Sequence, residues 1–247
     1  MKKLFILFAV VGLIAVSAGS VYAQSASTGT ELRVENDQPI HQQLKVKFIE
    51  GGAGFMAFIL VCLILGLAIA IERIIYLNLS TTNTDKLLKN VEKALQEGGI
   101  EAAKEVCRNT RGPVASIFYQ GISRMDEGMD IVEKSVVSYG GVQMSQMENG
   151  LSWVQLFIAV APMLGFLGTV VGMVEAFDAI EAAGDISPAI VAGGMKVALI
   201  TTIGGLVVAI ILQVFYNYLL SKIDALVLAM EDSSISLIDM LVKYNKK

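Results

Sequence analysis

Leu164-Gly165-Phe166-Leu167-Gly168-Thr169-Val170-Val171-Gly172, inside the apolar run Trp153 to Val174, decides the fold of this chain. Its counterpart is Thr201-Thr202-Ile203-Gly204-Gly205-Leu206, inside the run Val197 to Tyr218. Each run reaches the ~20 residues a helix needs to cross a hydrocarbon layer. A hydroxyl at that depth finds no bulk water, so it faces a neighbouring helix or a hydrated path. Neither run contains a carboxylate or a histidine. A proton passing here would titrate on a group supplied by another chain.

Composition agrees with a membrane protein. Of 247 residues, 54% are apolar, and the mean hydropathy is +0.63, above soluble norms. The net charge of −4 argues against a nucleic-acid partner, which calls for a basic face. The two cysteines, Cys62 in an apolar run and Cys107 in the polar centre, are placed for no disulfide and behave as small hydrophobes. One histidine, His41, makes no metal cluster, and no nucleophile triad, CxxC, phosphate loop or dinucleotide fingerprint occurs. The chain is not read as an enzyme, and no cofactor or metal is implied.

The amino terminus has the order of a secretory signal: Lys2-Lys3, an apolar run from Leu4 to Val16, then small residues up to Val21-Tyr22-Ala23. Residues 1–23 are either removed before Gln24 or kept as a further span. Both cases start Gln24 outside the cytoplasm. Residues 24–50 form a periplasmic segment whose polar first part is unstructured, with His41 to Phe48 as an interfacial amphipathic helix. The first mature span is set at 51–77. Its uncharged stretch, Phe55 to Ile71, is near the lower limit for spanning, and Glu72-Arg73 sits at its inner end as an interface anchor.

Residues 78–150 read as a helical domain, with apolar residues at helical spacing and breaks at Gly98-Gly99 and Gly112-Pro113. Its Lys86, Lys89, Lys93, Lys104, Arg108, Arg111, Arg124 and Lys134 contrast with no Lys or Arg from Asp178 to Ala192. Positive charge stays inside, which assigns this domain to the cytoplasm. The second span follows at 151–178, a short periplasmic loop at 179–189 and the third span at 190–220. Ser187 is the N-cap and Pro188 opens the last helix. Residues 221–247 extend that helix into the cytoplasm on an apolar stripe through Ile223, Leu226, Met230, Leu237 and Leu241. The architecture predicted is an all-α membrane protein: three long transmembrane helices running into a cytoplasmic helical domain, after a signal segment.

The two glycine-threonine stretches resemble the second- and third-span motifs of the ExbB/TolQ/MotA proton-channel family. Ile71-Glu72-Arg73 and the segment from Cys107 through Gly112-Pro113-Val114 resemble its first-span end and cytoplasmic part, and the likeness covers roughly Phe48 to Asp232. It is nearest to ExbB-like energy-transducing subunits. The resemblance implies a pentamer of three-span subunits around a single-span ExbD-like partner carrying a membrane aspartate. Proton movement through that aspartate would drive a TonB-like protein acting on outer-membrane transport, from the bacterial inner membrane. A TolQ-like role in envelope integrity and a non-conducting membrane scaffold stand as the other readings. The flagellar branch, with four spans and a larger charged loop, fits less well.

Carried over by motif, Thr169 and Thr202 line the pore, with Thr201 beside them. Hydroxyls can hold a short water chain without trapping charge. A proton falling through 100 mV releases about 2.3 kcal/mol, and a fixed charge in the wall would compete with that. Gly165, Gly168, Gly172, Gly204 and Gly205 are read as close-packing positions. Where ExbB-like and TolQ-like members often carry a third-span glutamate, this chain has Val197, preceded by Lys196. Lys196 either meets an acidic group, on the partner or at Glu175, Asp178 or Glu181, or snorkels to the membrane surface.

Overall fold

The computed structural model describes residues 40–245. The signal segment at 1–23, the polar stretch after it and the Lys246-Lys247 end lie outside the described residues. Among the described residues every regular element is helical. In chain order these are α1 (Ile40–Glu50), α2 (Ala53–Leu79), α3 (Thr84–Arg108), α4 (Pro113–Ser123), a 3-10 turn at Met125–Glu127, α5 (Met129–Glu148), α6 (Leu151–Ala183) and α7 (Pro188–Asn245).

Local chemistry sets the breaks. Gly52, Gly112, Gly128 and Gly150 precede helices with positive φ, a conformation open mainly to glycine. Asn83 caps α3 by accepting the Lys86 backbone N–H at 3.0 Å. Gly99, at φ 71° and ψ −161°, kinks α3 where the sequence shows its Gly-Gly break. Pro113 opens α4, where a missing N–H costs nothing. The α6–α7 turn is shorter than the loop expected at 179–189. Helix α6 runs on through Glu181-Ala182-Ala183, good helix formers, until Gly184 closes it with φ 68° and an N–H bonded to the Ile180 carbonyl. Ser187 then caps α7, its carbonyl accepting from Ile190 and Val191.

Three stretches are long and apolar enough to cross a membrane, lying within α2, α6 and α7. At 1.5 Å per residue, the 58 residues of α7 reach about 87 Å, far beyond a ~30 Å hydrocarbon core. The surplus of α7 packs with α3, α4 and α5. That end holds the larger core, with Leu77, Phe118, Ile122, Val132, Leu219, Ile223 and Leu237 all at most 1% exposed. A smaller cluster of Ile59, Cys62, Ala161, Val208 and Leu212 joins the three spans.

Both cysteines are free thiols and buried. Burial pushes the Cys107 thiol up to about 12, so the thiolate, the reactive form, is scarce at neutral pH. A maleimide at pH 7.5 is predicted to leave Cys107 unlabelled in the folded protein and to label it after unfolding. Mass spectrometry of the tryptic peptide reads the result.

Candidate functional site

The central seam is the contact of α6 with α7. On α6 the buried face is Ala161, Gly165, Gly168, Gly172 and Ala176, and on α7 it is Ala198, Thr201, Gly205, Val208 and Leu212. Each set repeats at three or four residues, so small side chains form a stripe along α6 and along α7 from Ala198 to Gly205, beyond which Val208 and Leu212 continue the face. The backbones touch. A Cβ added at Gly205 would stand 2.5 Å from the Ala161 carbonyl oxygen, and one at Gly165 would stand 2.9 Å from that of Thr201. At Gly168 an added Cβ would meet the Thr201 hydroxyl at 2.7 Å, and at Gly172 the Ala198 backbone N at 3.4 Å. Gly204 faces the other way, towards Met56 and Ile59 of α2.

The three threonines occupy this seam differently. Thr201 is 1% exposed and donates to the Ala198 carbonyl of its own helix at 2.8 Å. Thr202 is half-buried and shares its hydroxyl between Ala198, one turn back, and the Gly165 carbonyl across the seam, both at 3.3 Å. Thr169, also half-buried, donates to the Phe166 carbonyl at 2.6 Å. Thr201 and Thr202 therefore meet the α6 glycines directly, while Thr169 turns to its own helix beside them. Every hydroxyl keeps its oxygen lone pairs for a further donor. From Leu151 to Val174 and from Val197 to Ser221 no residue carries a charge. Large apolar side chains flank the threonines outward, among them Phe166 at 67%, Leu199 at 59% and Ile203 at 60% exposure.

Lys196 lies on another face. Its Nζ is 2.8 Å from the Glu50 carboxylate at the end of α1, and Glu50 also holds Lys47 at 2.9 Å. This acid is none of those weighed from the sequence; 146 positions separate the pair, and only the fold brings them together. Gly51 and Gly52 make the approach tight, with Ile200 and Val197 of α7 next to them. Hydrogen bonds from Lys196 and then Lys47 hold the Glu50 carboxyl below its ordinary value. A lowered folded pKa means the pairing contributes fully above the ordinary carboxylate value of 4.5 and is lost as pH falls below it. Lys196→Ala is predicted to lower the amide protection factors across Val46–Glu50 at pH 7, and acid strong enough to protonate Glu50 to lower them in the unaltered protein once the intrinsic exchange rate at each pH is divided out. Equal exchange in both proteins at pH 7 would show the pair to be idle.

Glu72 and Arg73 mark the opposite end of α2. Arg73 binds Glu72 at 2.7 Å, lies 5.1 Å above the Tyr76 ring and reaches the Gln146 carbonyl on α5 at 3.5 Å. Arg73, read from the sequence as an interface anchor, acts here as a strut between α2 and the α5–α6 junction, where Gly150 leaves room for the guanidinium.

The sequence profile of the MotA/TolQ/ExbB proton channel family matches residues 109–232, which include α4 to α6 and the whole seam. The chain belongs to this family. Among curated relatives, a putative biopolymer transport protein ExbB homolog of Methanothermobacter thermautotrophicus is 38% identical over 163 residues, 65% of this chain and 57% of that protein. The biopolymer transport protein exbB1 of Vibrio cholerae is 28% identical over 185 residues, covering 72% of this chain and 76% of its own length. A putative ExbB-like protein of Synechocystis is 26% identical over 179 residues, 71% and 70% of the two chains. The chain thus spans little more than half of the first of these. It is a multi-pass membrane protein of a channel and transport family.

Proposed function

We propose that this chain is an ExbB-like subunit of a proton-driven motor in a bacterial inner membrane. Copies of it, five by the family resemblance, surround a single-span partner whose membrane aspartate carries the proton. The motion passes through a TonB-type protein to outer-membrane transport. The observation that carries this reading is the seam: two spans locked at backbone contact, lined by hydroxyls and free of charge throughout their apolar length. Thr169 and Thr202 hold water or the partner's carboxyl at the edge of the seam, and Thr201 fixes it. The wall contributes no competing charge, so the titrating group belongs to the partner.

The polar domain of α3–α5 lies in the cytoplasm in this account, and the Lys196–Glu50 pair lies at the periplasmic face. There Lys196 holds α1 rather than the partner. The relatives named for biopolymer transport support the ExbB-like assignment.

Gentle purification through a C-terminal tag, followed by intact-complex mass spectrometry, tests the assembly. Five copies with a single-span companion bearing a membrane aspartate are expected. A lone monomer or dimer under the same conditions would make the protein a scaffold and the threonines packing residues.

A further inference from the structure

Gln155 on α6 and Gln213 on α7 are exposed amides near the span ends that meet the polar domain. Gln213 donates to the side-chain oxygen of Asn217, one turn further along α7, at 3.1 Å. Between these amides and the threonines, Leu156 to Gly168 and Ile203 to Leu212 carry no polar side chain. The two spans thus hold a hydroxyl layer and an amide layer with an apolar wall between them.

Helix geometry puts both layers on one side of the seam. Gln213 follows Thr202 by about three turns, and Gln155 precedes Thr169 by about four. Whole turns return a side chain to the same face, which on each helix lies beside the buried stripe. Antiparallel packing turns these two faces the same way, and α2 covers the opposite side, where Gly204 meets Met56 and Ile59. The register agrees. Ala161 lies against Gly205 and Gly165 against Thr201, so the same antiparallel step brings Gln155 level with Leu212 and Gln213. Leu212 shares a cluster with Phe157, Ile158 and Ala161, so the helices still run side by side there.

Trp153, Tyr216 and Tyr218 mark the membrane surface at this end, where such rings collect. An amide turned to hydrocarbon is costly, and water on the open side of the seam removes that cost. An amide accepts through its oxygen and donates through its N–H groups, so it holds water in either orientation and, being neutral, traps no charge. We propose that Gln155 and Gln213, with Asn217, form the cytoplasmic mouth of the proton path. Water ordered there takes the proton from the partner's carboxyl, which is left as carboxylate, and passes it as hydronium to the cytoplasm. This inference rests on the proposed motor role and adds the exit to it.

The test uses the complex with its native companion and has two readouts. In inside-out vesicles, a charged methanethiosulfonate added outside is expected to label Gln155→Cys about tenfold faster than Leu156→Cys, because the reactive thiolate forms in water and not in hydrocarbon. Leu156 stands at the same level but is turned about 100° away, and it is 45% exposed. In liposomes under an imposed potential, negative inside, Gln155→Leu combined with Gln213→Leu is expected to slow acidification about tenfold, the size of one lost hydrogen bond. Stoichiometry and thermal midpoint stay unchanged, and Gln155→Ser with Gln213→Ser, which keeps a polar group at each place, restores most of the rate. An unaltered complex that conducts no protons would sink the motor reading and this inference with it. Conduction that the double leucine variant matches overturns the mouth alone, and so does equal labelling of the two cysteines, which would place the amides among lipid headgroups.

Discussion

Gly205→Val is expected to part α6 from α7 and to lower the thermal midpoint of the purified protein by roughly 5–10 °C. The reason is steric and lies in the backbone. A Cβ at this position would stand 2.5 Å from the Ala161 carbonyl oxygen and 3.2 Å from the Gly165 Cα, neither of which can rotate away as a side chain would. Overpacking an interior costs about 1–3 kcal/mol, sometimes more, and each kcal/mol moves the midpoint by about 2–4 °C in a chain of this size. Gly193→Ala serves as the control, since an added Cβ there meets nothing within 4 Å and alanine favours the helix by about 1 kcal/mol. A Gly205→Val protein that melts with the parent would remove the close seam from the account.

Thr169→Ala combined with Thr202→Ala is expected to abolish proton-motive-force-dependent work while the protein still inserts and folds. Both hydroxyls bond backbone carbonyls already engaged in helices, and polar contacts between spans average only about 0.6 kcal/mol. The structural loss is therefore small. On the proposed function the loss of work is large, because those oxygens would accept from water or from a partner's protonated carboxyl. Energised uptake, measured beside protein level and thermal midpoint, separates the two effects. Full uptake by the double variant would reduce these threonines to packing.

The three spans were readable because hydropathy and length report directly on a bilayer. The stripe of Gly165, Gly168, Gly172 and Gly205 was readable because small residues at helical spacing announce a close approach. Ser187-Pro188 marked a helix start for a local reason that needs no tertiary context. The loop before it was read too long, since its acidic residues suggest solvent but continue a helix as far as Gly184. Lys196–Glu50 was hidden for a different reason. A pairing between residues 146 positions apart leaves no period in the sequence, and both residues also make sense as solvated charges. The same holds for Arg73 on the Gln146 carbonyl.

Proton flux tests the central claim most directly. The complex purified with its native companion is placed in liposomes containing a pH-sensitive dye, and a potassium diffusion potential, negative inside, is imposed with valinomycin. The account predicts internal acidification faster than in protein-free liposomes, and its loss in the Thr169→Ala, Thr202→Ala complex of equal stoichiometry. Acidification no faster than in protein-free liposomes, or equal rates with and without the two hydroxyls, would contradict it.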